Sequence, residues 1–196
     1  MVDATLTSPL AHLSLAAFPS DGNETDTTLV ARHRVGFFHV MARQAGALET
    51  AHKLGDARAP GRAAVCEHGI VLPTAPGEWA VLCDGAEAEL KLAALRQTLD
   101  GLAYVSDQSH GRMSLRLRGA SARGLMQKEC AIDLHPSKFY EGSCATTTMA
   151  GIGVLVHQIS DAPCYDLYCY SGYADSFWNW FVEAGEELGL KVYREE

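Results

Sequence analysis

The chain lacks several features that would each name a function class. No apolar run reaches the roughly 18 residues of a membrane-crossing helix. The N-terminus has no basic region followed by an apolar core, so no signal peptide is expected. There is no basic excess: 16 Lys and Arg face 24 Asp and Glu, a formal charge of −8, which argues against a nucleic-acid partner. No C-x-x-C pair occurs among Cys66, Cys83, Cys130, Cys144, Cys164 and Cys169, and the eight histidines show no H-E-x-x-H spacing, so no zinc or other metal site is expected. The only glycine pattern of interest, GIG in MAGIGVLV, precedes an apolar strand, whereas a dinucleotide fingerprint follows a strand and opens a helix. Scattered cysteines without a secretory signal point to free thiols in a reducing cytoplasm.

What is present is an ordinary globular composition, 47% apolar and 20% charged over 196 residues, enough for one domain or two small ones. Residues 1–28 are polar and weakly patterned, with SPLAHLSL as a short arm that partners would order and PSDGNETDTT as a loop or disordered link. Residues 29–196 form one compact unit, with a division into subdomains 29–105 and 106–196 left open. Leu29 to Met41 reads as a strand, Ala45 to Leu54 as a short helix ended by Gly55, Ala63 to Leu72 and EWAVLC as strands. Asp84 with Glu87 has the spacing of a capping box before a helix striped by Ala88, Leu92, Leu95, Leu99 and Leu102.

The centre of the chain runs from Ser106 to Ile159. Met113, Leu115 and Leu117 alternate with Arg112, Ser114, Arg116 and Arg118, the period of a strand with one apolar and one cationic face. Ala122, Leu125, Met126 and Cys130 follow at helical spacing, and Pro136 ends that helix by Leu134. A second apolar stretch, SCATTTMAGIGVLVHQI, comes next. Tyr165 to Tyr170 reads as a strand, Tyr173 to Leu188 as a helix ended by Gly189, and Leu190 to Tyr193 as a last short strand. This order predicts an α+β fold of mainly antiparallel sheets with helices packed on one face.

Asp133, beside the proline turn, is the candidate for positioning or deprotonating an amine; its other reading is a turn hydrogen bond. His135 and His110 are the histidines considered for pairing with Cys144 as a nucleophile, but no nucleophile elbow surrounds that cysteine. Arg112, Arg116 and Arg118 are candidates for an acidic partner surface, or for a solvated strand face. On the final helix, 100° steps cluster Trp180, Phe181, Ala184 and Leu188 with Phe177 as the core contact. Trp178 and Val182 fall on a shoulder, where Trp178 is a candidate anchor against a partner subunit.

The order GEWAVLC, SDQSHGRMSLRLRG, KECAIDLHPSKFYEGSCATTTMAGIGVLVHQI and YADSFWNWFVEAGEELG resembles the gamma subunit of heterotetrameric sarcosine oxidase, from about Glu78 to Gly189. That subunit is itself similar to part of the glycine-cleavage aminomethyltransferase, a folate enzyme. There a D-x-S-H-like segment precedes a strand ending in Gly, matching Asp107, Ser109, His110 and Gly119, and a catalytic carboxylate follows the next helix, matching Asp133. The resemblance implies an aminomethyltransferase-like, folate-binding-type fold. It also implies a noncatalytic subunit that assembles with alpha, beta and delta subunits. The complex would demethylate sarcosine oxidatively to glycine, with hydrogen peroxide and 5,10-methylenetetrahydrofolate as products. FAD, FMN, NAD, tetrahydrofolate and zinc would sit in the other subunits. The alternatives are a subunit of a related N-methyl amino acid dehydrogenase, a stand-alone folate-dependent aminomethyltransferase using Asp133, and a free-standing small-molecule binding module.

Overall fold

The computed structural model describes residues 8–19, 26–33, 35–43 and 46–195. Residues 20–25, most of the stretch read as a loop or link, lie outside them. In chain order, β1 (Thr28–Arg32) and β2 (Val35–Ala42) precede α1 (Ala47–Lys53). Then come β3 (Ala64–Cys66), β4 (Gly69–Ala75), β5 (Glu78–Asp84), α2 (Ala88–Thr98) and β6 (Ala103–Asp107). β7 (Arg112–Arg118), α3 (Ala122–Gln127), β8 (Cys144–Met149), β9 (Ile152–Ser160), β10 (Cys164–Tyr170), α4 (Ala174–Gly185) and β11 (Lys191–Arg194) complete the chain. The fold is α+β, and every strand pair is antiparallel except β1 with β11.

Two compact units form, residues 34–110 and residues 1–33 with 111–196. The first carries a five-stranded sheet in the order β3-β4-β5-β2-β6. Phe38, Val40, Val71, Trp79 and Val81 are buried from its strands with Ala51 and Leu54 at α1 and Leu95 and Leu99 at α2. The α2 stripe packs through Ala88, Leu92, Leu95 and Leu99, whereas Leu102 lies in the turn beyond the helix, and the capping box does not form. Asp84 Oδ1 accepts from Ala86 N at 2.8 Å and caps a 3₁₀ turn, Gly85–Glu87, so Glu87 itself becomes the N-cap of α2 without a side-chain bond. The apolar run Ala63 to Leu72 is a hairpin rather than one strand. It turns at Glu67-His68 and re-enters the sheet at Gly69, whose φ of 140° and close approach (a Cβ would lie 2.0 Å from Leu82 O) admit no side chain.

The second unit carries a six-stranded sheet, β11-β1-β7-β10-β9-β8. Met113, Leu115 and Leu117 face a core shared with Leu29, Leu125, Val156, Tyr165, Phe177 and Phe181, as the β7 alternation predicts. The expected single strand from Leu29 to Met41 is two strands in different sheets, with β1 paired to β7 and β2 to β5. No Gly or Pro lies between Arg32 and Val35, where the strands part, and Gly36 falls inside β2, so periodicity alone did not mark the break. α3 stops at Gln127, well before Leu134. The chain leaves the helix because Cys130 bridges to Met149 and Ala131 N donates to Thr148 O, which draws it onto the edge of β8. Residues 8–19 pack on this same unit: Leu10 lies in the core and Ala17 pairs in parallel with Arg194.

Candidate functional site

Period-two geometry places Arg112, Arg116 and Arg118 on one face of β7. The register sets Arg116 opposite Val30 on β1 and Asp166 on β10. Arg116 Nε donates to Asp166 Oδ1 at 2.7 Å and its Nη2 to Oδ2 at 2.8 Å, a bidentate fork. Arg32 Nη1 donates to the same Oδ2 at 2.9 Å, Tyr168 Oη also donates to it at 3.3 Å, and Arg32 Nε reaches Glu195 Oε1 at 3.3 Å. The Asp166 side chain is 3% exposed, so its charge is held by two guanidinium groups instead of water. The Asp166 hydrogen bond pushes Arg116 above its ordinary range, and burial, then the Asp166 charge, raises the Tyr168 phenol. Arg116, a candidate for a partner surface or a solvated strand face, spends its guanidinium on Asp166 of its own chain. Arg112 lies over the Tyr170 ring at 3.8 Å and Arg118 over the Phe18 ring at 4.2 Å, both half-buried cation–π contacts.

The same cross-strand row continues from Asp166 to His157 on β9 and Cys144 on β8. The histidine beside Cys144 is thus His157, whereas His135 and His110 lie on exposed turns. A Cys–His–Asp row resembles a nucleophilic set, but Cys144 is 1% exposed and His157 is 5% exposed, so in this conformation the thiol is closed to substrate. The row was legible in principle. A two-residue turn, Ala150-Gly151, with φ of 51° and 74°, closes the β8–β9 hairpin and fixes Cys144 against His157. Reading SCATTTMAGIGVLVHQI as one stretch hid it.

Asp133 is exposed, and its Oδ1 accepts from His135 N at 2.9 Å. His135 Nδ1 in turn meets Ser137 Oγ at 2.8 Å. This is an Asx turn leading into Pro136, the turn reading of that carboxylate. The D-x-S-H segment is also structural. Asp107 Oδ1 accepts from Ser109 N at 2.9 Å and Oγ at 2.6 Å, and Ser109 Oγ accepts from Phe37 N at 2.9 Å, pinning the turn after β6 to β2. Gly119, at φ 110°, lies where a Cβ would sit 2.2 Å from Asp26 O.

The shoulder assigned to Trp178 is corrected. α4 buries Ala174, Phe177, Trp178, Phe181 and Gly185, and Trp178 is 4% exposed. Trp180, Ala184 and Leu188 pack only at its margin. The stripe is centred on two small residues, and a Cβ on Gly185 would lie 2.6 Å from Leu190 Cβ, so the helix lies close down on that side. Ala174 and Gly185 add little hydrophobic weight to a periodicity count, which therefore pointed to the larger Trp180. Val182 remains on the outside at 41% exposure.

All six cysteines are free thiols. Burial pushes Cys83 up to about 11 and Cys169 to about 12. Among the described residues no group of three or more His, Cys, Asp or Glu side chains is placed to hold a metal ion, and no helix is long and apolar enough to cross a membrane. A cleft of about 380 Å³ opens beside the arm, lined by Leu10, Leu13, Leu15, Ala31, His33 and Arg194 among others.

Residues 40–187 match the family described as "Sarcosine oxidase, gamma subunit family". Among solved structures, a chain of heterotetrameric sarcosine oxidase from Corynebacterium sp. U-96, in complex with pyrrole 2-carboxylate, aligns with a TM-score of 0.77 at 24% identity, over 93% of this chain and 95% of that one. The glycine cleavage system aminomethyltransferase T from Bartonella henselae aligns with a TM-score of 0.72 at 14% identity, over 95% of this chain but 59% of that one. At these identities the two likenesses establish the fold. No curated protein matches the chain by sequence.

Proposed function

We propose, from the premise that the chain belongs to the sarcosine oxidase gamma subunit family, that it is a noncatalytic, structural subunit of a cytoplasmic, heterotetrameric, flavin-dependent complex. That complex oxidises sarcosine to glycine, reduces oxygen to hydrogen peroxide and passes the one-carbon unit to tetrahydrofolate. The alpha, beta and delta subunits hold FAD, FMN, NAD, tetrahydrofolate and zinc.

The observation that carries the noncatalytic role is the fate of Asp133. It is the position that matches a catalytic carboxylate in the folate enzymes, and here it is exposed and bonded to the backbone of its own turn. The chain also spans only 59% of the aminomethyltransferase it aligns with, which weighs against a free transferase.

The test is co-expression with candidate partner subunits, followed by affinity purification on this chain. The expected product is a four-subunit complex with a flavin absorbance band that generates peroxide from sarcosine, while the chain expressed alone is colourless. A stoichiometric flavin on the isolated chain, or folate-dependent transferase activity without partners, overturns the reading. A complex that oxidises an N-methyl amino acid without releasing peroxide assigns the chain to a dehydrogenase instead.

A further inference from the structure

The two sheets have four outer edges, and three are met along part of their length by other segments of the chain. β11 is flanked by Ala17, with Arg194 N donating to Ala16 O and Phe18 N to Arg194 O. β8 is met by the Cys130–Met149 bridge and by Ala131 N on Thr148 O. β3 is only three residues long, and Gly55 packs so tightly on it that a Cβ there would lie 2.2 Å from Val65 O. β6 differs: among the described residues no strand pairs with its outer side.

The ladder shows which groups face outward. Arg43 N donates to Leu102 O and Gln108 N to Phe37 O, both consistent with the β2–β6 register. Bonding groups alternate along an antiparallel strand. Tyr104 and Ser106 therefore spend their backbone groups on β2. Val105 and Asp107 direct N–H and C=O away from the sheet, and so does the Ala103 carbonyl. Ala103 N is already bonded to Leu99 O. Such an edge is normally blunted by proline, lysine, a bulge or a covering segment, and AYVSD has none of these. Beside it lie Tyr104, 58% exposed, and its cross-strand neighbour Met41, 43% exposed. The Arg43 guanidinium sits over the Tyr104 ring at 4.6 Å, and among the described residues no carboxylate pairs with it.

We propose that β6 is an assembly edge, to which an extended segment of another subunit adds as a sixth strand of the five-stranded sheet. The bonds to Val105 and Asp107 supply affinity, and side chains against Tyr104 and Met41 supply specificity. The fitting segment is apolar at the position beside Tyr104 and acidic where it meets Arg43. A second copy of this chain is the poorer occupant, because each copy carries a formal charge of −8. This inference rests on the subunit reading above.

The experiment uses the co-purified complex. Hydrogen exchange is followed at the Val105 and Asp107 amides, with a photo-crosslinking residue at Tyr104 in parallel. Slowing of both amides by at least about tenfold against unstructured rates, and crosslinks to a different subunit, are expected. Val105→Pro removes an outward N–H and leaves the β2 ladder whole, as edge strands allow. It should lower recovery of partner subunits at least about tenfold, whereas Val105→Ala keeps it. Failure of the unmodified chain to recover partners overturns the subunit reading and this inference with it. Recovery with fast exchange at Val105 overturns the edge assignment alone, as do crosslinks only between copies of this chain. The exchange measurement stands even if Val105→Pro does not fold.

Discussion

Arg116 and Asp166 face each other on neighbouring strands and join through two parallel hydrogen bonds of 2.7 and 2.8 Å. Asp166 is nearly inaccessible, and Arg32 closes on its second oxygen. Removing the carboxylate charge therefore leaves two guanidinium groups facing a neutral amide. Asp166→Asn should cost about 3–5 kcal/mol of unfolding free energy, the scale for breaking a buried pair. Replacing both partners with apolar residues, Arg116→Met with Asp166→Leu, should cost less, because one guanidinium leaves with the carboxylate and Arg32 keeps its bond to Glu195. Glu195→Gln, at the half-exposed end of the network, should cost at most about 1 kcal/mol. Urea titration of the four proteins separates these outcomes, and a loss under about 1 kcal/mol for Asp166→Asn would show that the network adds no stability.

The raised thiols give a pH dependence. An unperturbed thiol in the unfolded chain ionises near 9, but Cys83 in the fold ionises at about 11 and Cys169 at about 12. The fold prefers the neutral form, so this part of its stability is complete below pH 9 and declines as pH rises toward 11 and 12. Iodoacetamide labelling with peptide mapping should place the inflection for Cys83 well above that of the denatured chain. Thiol titration in denaturant without reductant should count six.

Asp133→Asn keeps an oxygen that can accept from His135 N. Activity of the assembled complex should therefore stay within a few-fold of the parent. Loss of an essential general base would cost at least about 10²-fold, and a drop of that size in a normally assembled complex would transfer Asp133 to the catalytic machinery.

Sequence legibility followed the strength of each local signal. β7 and α2 were readable because their periods of 2 and 3.6 are carried by large residues whose burial matches them, such as Leu115 and Leu95, while β10 is a short aromatic run buried on both faces. The break between β1 and β2 was not, since the chain changes sheets at His33 without a turn residue to mark it. The Arg116–Asp166 pair was half legible. Alternation put the arginine on a defined face, but its partner lies fifty positions on, and only strand register could supply it. The Asx turn at Asp133 was one of two readings open to a carboxylate before a proline, and the hydrogen bond from His135 N shows that the turn forms.

Gly119 is the next prediction. Its φ of 110° lies where L side chains rarely go, and a Cβ would meet Asp26 O at 2.2 Å and Thr27 Cα at 2.7 Å. Both contacts are backbone, which cannot swing aside as a side-chain end can. Gly119→Ala should destabilise the chain by at least about 1–3 kcal/mol, the usual range for an imposed backbone strain. Gly124→Ala, in α3 with nothing near the new Cβ, should be neutral or stabilising by up to about 1 kcal/mol. Paired thermal melts would refute the assignment if both variants behaved alike.

Trp178 and Val182 sit one helical turn apart, and the structure separates their roles. Trp178 lies with Phe177 and Phe181 in the core of its own unit, while Val182 faces outward. Trp178→Ala and Phe181→Ala should therefore behave alike, each lowering stability by about 3–5 kcal/mol as aromatic truncations in a packed core. Both should impair assembly only by depleting folded chain. Val182→Asp should leave unfolding within about 0.5 kcal/mol of the parent, as surface changes do. If the outer face of α4 meets a partner, it is Val182→Asp that lowers complex recovery on size exclusion, because a carboxylate would be buried there without a cation. Melting temperature and elution with the partner subunits, measured on all three variants, decide the matter. A Trp178→Ala chain that melts like the parent yet no longer assembles would return the tryptophan to the subunit interface.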